Sequence, residues 1–150
     1  GIGEMVIMNH RLIIYALEVF FIIGQLFLAG KDASSYLLKE KTTYPLQLKR
    51  LQRWNRDGLI LAVILALPLL VIGGLSIGWN SVYWVAGGFL LSRLAVYDIA
   101  FNKFASLDLS FLGTTAKWDQ FFSRIYGKDG AGYKALTFLI LFITLNIFAK

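Results

Sequence analysis

Four predominantly apolar runs divide the chain, at about residues 12–29, 59–77, 82–101 and 135–149. The first three approach the ~20 residues that an α-helix needs to cross a hydrocarbon layer of ~30 Å. None alternates apolar and polar positions with a period of two, so barrel strands do not fit. The pattern predicts an all-α, polytopic membrane bundle of about four spans, forming one membrane domain over residues 1–150. The fourth run is short. Lys134 and Lys150 stand at its two ends, where snorkelling stems reach the interfaces, and local thinning or a contribution from Tyr133 makes up the length.

The two long linkers, 30–57 and 102–134, carry their own periodicity. In the first, Pro45 suits a helix start, and Leu48, Leu51 and Trp54 form an apolar edge beside Lys49, Arg50, Arg53 and Arg56. In the second, Trp118, Phe121, Phe122 and Ile125 recur at i, i+3, i+4 and i+7, with Thr114 or Thr115 as cap and Gly127 as stop. These segments predict one or two short helices that either lie on the cytoplasmic leaflet or pack against the end of the bundle. The linkers hold twelve Lys and Arg residues, and the turn at 78–81 holds none. Basic loops stay in the cytoplasm, so both linkers are expected inside and both termini outside.

Small residues suggest how the spans meet. Pro68 lacks an amide donor and should bend the second span, and Gly74 and Gly78 stand at a GxxxG spacing. The third span offers Gly87, Gly88 and Ser92. Because small side chains let backbones approach closely in lipid, a tight hairpin between spans two and three is expected, with an intermolecular contact as the alternative.

Polar residues inside the spans need a reason to be there. Arg11, Glu18, Gln25 and Asp32 recur every seven residues and so share one stripe of the first span. A charge at mid-bilayer costs from about 3 kcal/mol upward, which makes Glu18 the most expensive of them unless it is paired or protonated. The third span supplies Arg93, Tyr97, Asp98 and Asn102, and it runs parallel to the first. The expected arrangement is an intramembrane layer of Glu18, Gln25, Arg93 and Tyr97, with Arg93 reaching Glu18 directly or through Gln25 or water. Asp98, Asn102, Asp32, Arg53, Arg56 and Asp57 should lie nearer the basic rim. Such a layer serves either as a lock on helix register or as a path for protons, ions or a small solute.

Composition narrows the chemistry further. Hydrophobic residues make up 57% of the chain and charged ones 16%, with a mean hydropathy of +0.64, beyond what a soluble core of this size can bury. With no Cys and a single His10, disulfide, thiolate and His-cluster metal chemistry are excluded, and no cofactor or metal is expected. The net charge of +6 sits in the linkers, which points to anionic lipid headgroups and away from nucleic acid. Gly1 opens the sequence, implying processing or an added residue, with Met5 or Met8 as candidate native starts. A cleavable leader is not expected, since the first run is long enough to span and no small-x-small site follows it.

The stretch Arg93-Leu-Ala-Val-Tyr97-Asp98-Ile-Ala-Phe-Asn102, followed by Phe111-Leu-Gly113-Thr114-Thr115 and Asp119, resembles a group of small membrane proteins of Bacteroidota and their phages. The resemblance covers about thirty residues, from about 93 to 122, and implies a bacterial or phage membrane protein, expected in a bacterial inner membrane. It transfers no catalytic role. A physical reading stands beside it: Gly113 breaks the chain, a threonine caps the next helix, and Asp119 complements that helix's positive end.

No phosphate loop, HExxH or GxSxG motif is present. The expected function is therefore a non-enzymatic membrane protein acting by helix packing, as a homo-oligomer or a small subunit of a larger complex. Two alternatives are a channel or transporter component using Glu18, Arg93 and Asp98, and a lipid-acting enzyme at the basic rim.

Overall fold

A computed structural model of the protein describes residues 2–40, 44–76, 79–112, 117–127 and 129–149, with side chains placed over 11–40, 44–71, 82–112, 120–127 and 129–149. The described residues form five helices: α1 (Ile2–Lys39), α2 (Pro45–Ser76), α3 (Trp79–Phe104), α4 (Lys117–Tyr126) and α5 (Ala131–Phe148). Helices α1, α2, α3 and α5 are each long and apolar enough to cross a membrane, so the chain is an all-helical integral membrane protein. Successive spans alternate in direction. One end of the molecule gathers the C-terminal ends of α1 and α3 with the N-terminal ends of α2 and α5, and the other gathers their opposite ends.

The helices outrun the apolar segments that predicted them. At 1.5 Å per residue, the 38 residues of α1 extend ~57 Å, well beyond a hydrocarbon layer. Pro45 opens α2, where a missing amide costs nothing, and the helix continues through Trp54 and Pro68 to Ser76. The amphipathic segment at 45–57 is thus not a separate interfacial helix but the linker-end extension of α2. It packs on the matching extension of α1, where Gln52 Nε2 donates to Ser35 Oγ at 2.6 Å. The fourth span begins at Ala131, four residues before the continuous apolar run, and draws Lys134 inside it.

The spans pack in an open row. Helix α1 contacts α2 on one side and α3 on the other, α3 contacts α5, and α4 leans on α5. Over their described lengths α2 and α3 do not pack together, so the expected hairpin between spans two and three is not formed. Gly78 lies outside the described residues, as do any packing contacts of Gly74. A Cβ on Gly87 would meet Leu145 of α5 at 3.1 Å, and one on Gly88 would meet the Glu18 side chain of α1 at 3.3 Å. The small residues of α3 therefore admit α5 and α1. Ser92, also buried, turns its hydroxyl onto its own helix at the Phe89 carbonyl.

The close contact of α2 is with α1, along Gly58, Ala62 and Ala66 at i, i+4 and i+8. A Cβ on Gly58 would stand 2.4 Å from the Phe27 ring, and one on Gly30 would stand 2.6 Å from the Asn55 amide oxygen. Only hydrogen at these positions lets the two backbones approach as they do.

At the linker end α3 stops in a Schellman motif. Leu107 N–H donates to the Asn102 carbonyl at 2.8 Å and Ser106 N–H to that of Lys103 at 3.3 Å, with Ser106 at φ 57°. The buried Asn102 side chain then holds the following loop, its Nδ2 donating to the carbonyls of Leu109 and Phe111 at 3.1 and 2.7 Å. Asp108 closes a turn by accepting from the amide and hydroxyl of Ser110, which holds its carboxyl below the usual range. Leu112, Phe122 and Ala131 form a small core that seats α4 against α5.

Candidate functional site

The heptad stripe of α1 faces α3 and the C-terminal end of α5, but its members divide among separate partners. At the terminal end, Arg11 Nη2 donates to the Ala149 carbonyl at 2.9 Å, and its guanidinium stands 5.5 Å over the Trp84 ring. A cation there complements the negative end of α5. Two turns further on, Glu18 is 4% exposed, and its Oε1 has no hydrogen-bond donor. The Trp84 indole and the Asn146 amide lie beside its carboxyl, but Trp84 Nε1 donates to Asn146 Oδ1 at 3.0 Å and Asn146 Nδ2 donates to the Phe142 carbonyl.

The direct contact expected between Glu18 and Arg93 is absent: no hydrogen bond or ion pair joins them. Arg93 Nη1 instead donates to Gln25 Oε1 at 3.1 Å, and the guanidinium lies 4.6 Å over the Tyr97 ring. Both partners are at Arg93's own depth. Glu18 meets α3 at Gly88, five residues (~7.5 Å) from Arg93, where the lack of a side chain lets the carboxyl settle on the helix. Tyr97 in turn donates its hydroxyl to Asp32 Oδ2, placing Gln25, Arg93, Tyr97 and Asp32 in one chain between α1 and α3. The layer predicted around Glu18 is thus two clusters, and Asp32 belongs to the second.

Nearer the linkers, Lys134 pairs with Asp98 and lies 4.2 Å over the Phe122 ring. Lys134 is 5% exposed and does not snorkel. Among the described residues Asp57 pairs only with its exposed neighbour Arg56, at 3.4 Å, and Arg53 is exposed, so these three stand apart from Asp32 and Asp98. On α4, Phe122 packs inward while Phe121 and Ile125 are exposed. Trp54 is exposed on α2, its ring edge-on to Phe27. The side chains of Trp118 and Asp119 lie outside the described residues, as do Gly113, Thr114 and Thr115.

Two grooves follow from the open row. One, of about 420 Å³, runs between the terminal ends of α1 and α5 and is lined by Glu18 and Asn146 among Val19, Ile22, Phe142 and Ile143. The other, of about 310 Å³, lies toward the linker end between Phe27, Gly30, Trp54, Asn55 and Phe104. Sequence reasoning missed Lys134, Asn146 and the Gly30–Gly58 crossing. An amide inside the last apolar run was the one available signal for Asn146. Among the described residues no group of three His, Asp or Glu side chains gathers to hold a metal.

No protein-family model matches the chain, and no curated protein or solved structure matches it significantly.

Proposed function

We propose that the chain is a non-enzymatic building block of a membrane assembly, joined by helix packing to copies of itself or to other membrane subunits. The open row carries this reading: α2 and α5 are free edges, each packed on one span, and neither meets the other to close a bundle. In lipid, association rests on shape and close van der Waals contact, and two long edges offer such surfaces. The resemblance of residues 93–122 supports a bacterial or phage origin, and the basic residues of the linkers support a cytoplasmic linker end. There the exposed Trp54 and the neighbouring Arg50 and Arg53 suit anionic headgroups. The mass of the particle in gently solubilised membranes or lipid nanodiscs tests the proposal. A dimer, a ring or a stoichiometric partner is expected, and a lone chain at every protein concentration would reject it.

Conduction past Glu18, Arg93 and Asp98 is the competing reading, favoured by the burial of the Glu18 carboxyl between spans with Oε1 lacking a hydrogen-bond partner. The separation of these residues into unlinked clusters counts against it. Gradient-driven flux in liposomes that disappears in Glu18→Gln or Asp98→Asn, with assembly unchanged, would favour conduction.

A further inference from the structure

The linker-end groove changes character along its length. Its floor is helix α1, passing from Ile23, Leu26 and Phe27 inside the first span to Ser34 near the linker end, and Trp54 of α2 and Phe104 of α3 help to wall it. The inner end is hydrocarbon throughout. At the outer end Trp54 stands just ahead of the apolar run at 59–77, the level at which an indole marks the edge of a hydrocarbon layer. Arg50 lies one turn beyond Trp54 on the same stripe of α2, at i−4. Arg50 is exposed, as are Lys49 and Arg53, and among the described residues none of the three enters an ion pair. The nearby carboxylates are engaged elsewhere, Asp57 with Arg56 and Asp32 with the Tyr97 hydroxyl. An apolar slot of about 310 Å³ that rises to an aromatic edge and then to unpaired cations has the polarity profile of a lipid standing in one leaflet.

We propose that this groove seats one anionic glycerophospholipid of the linker-side leaflet, with one acyl chain along Ile23, Leu26 and Phe27 and the phosphate held by Arg50. Inside a bilayer the chain gains nothing by leaving water, so the groove contributes shape and the guanidinium contributes selectivity. A guanidinium fork matches phosphate geometry in a way that a neutral donor does not. Charge also decides between occupants. A zwitterionic headgroup brings its own cation to a mouth already positive, and a second copy seated through its own α2 brings a like basic stripe against this one.

The inference rests on the headgroup contact proposed above for Trp54, Arg50 and Arg53, and assembly does not enter it. The intact protein is reconstituted in nanodiscs that hold phosphatidylglycerol and phosphatidylcholine in equal amounts with identical chains, then released into detergent and weighed with its bound lipid by native mass spectrometry. Wild type should retain one lipid per chain, with phosphatidylglycerol favoured about fivefold, the factor that one basic residue supplies at an anionic surface. Arg50→Gln should bring the two headgroups level. Leu26→Trp keeps every cation but fills the floor, and should lower retention of both lipids about fivefold. Equal retention of the two lipids by wild type would overturn the proposal without any variant, as would a preference unchanged in Arg50→Gln. Undiminished phosphatidylglycerol retention in Leu26→Trp would reject the groove while leaving the looser headgroup contact standing. Particle mass in the same spectra reads assembly separately, so a lone chain that still carries one phosphatidylglycerol would reject the assembly and uphold the lipid site.

Discussion

Lys134 is almost wholly buried although it lies beside an apolar run whose margin is the usual place for a snorkelling cation. Its ammonium is held twice, by the Asp98 carboxylate on α3 and by the Phe122 ring on α4, so one side chain ties three helices together. Breaking a buried pair from one side leaves the other charge uncompensated, at about 3 kcal/mol, whereas replacing both partners is close to neutral. Asp98→Asn and Lys134→Met should each lower stability in detergent by about that amount, and the double variant should recover most of it. Additive losses across the cycle would show that the pair does not couple the helices. Ser106 offers the opposite change. It occupies the left-handed position of the α3 cap, a conformation that costs an L-residue roughly 1–2 kcal/mol and glycine almost nothing. Ser106→Gly should raise the thermal midpoint, and an unchanged or lower midpoint would reject this account of the cap.

The elements themselves were legible wherever apolar length or amphipathic spacing set them, and the pairing of elements was not. Helix α4 follows the spacing of Phe121, Phe122 and Ile125 and stops at Gly127, whose φ of 84° is one that glycine accepts freely. Pairing depended on which of several small-residue stripes found a partner. Gly74–Gly78 had the familiar spacing, but Gly58, Ala62 and Ala66 form the equivalent stripe on α2 and face α1. A stripe that mixes glycine with alanine is common in any apolar helix, so sequence alone cannot rank it. The same ambiguity hid the partner of Arg93: depth comparison brought Glu18 within reach, yet Gln25 at the right depth took the bond. Gly58 now gives the α1–α2 contact a direct test. A methyl group there would overlap the Phe27 ring, and such overpacking typically costs about 1–3 kcal/mol. Gly58→Ala should lose that stability, and Gly58→Ala combined with Phe27→Leu should regain part of it. Gly132→Ala, at a position with open space around it, should leave stability near wild type.

At the scale of the whole molecule, the alternation of four spans sorts every connection to one of two ends. Residues at 40 and 129 must share a side of the membrane, and Ala149 must lie on the other, whichever way the protein faces. Absolute orientation rests on charge: twelve Lys and Arg residues stand in the two linkers, and the translocation machinery retains such segments in the cytoplasm. The chain has no native cysteine, so single replacements report cleanly. In intact cells a membrane-impermeant maleimide should label Ala149→Cys and spare Glu40→Cys and Asp129→Cys, both of which should react once the membrane is opened. The inverse pattern would reverse the orientation and leave the row intact. Labelling of Glu40→Cys and Asp129→Cys from opposite sides would be incompatible with the row itself, because α2 and α3 together carry the chain across and back between them.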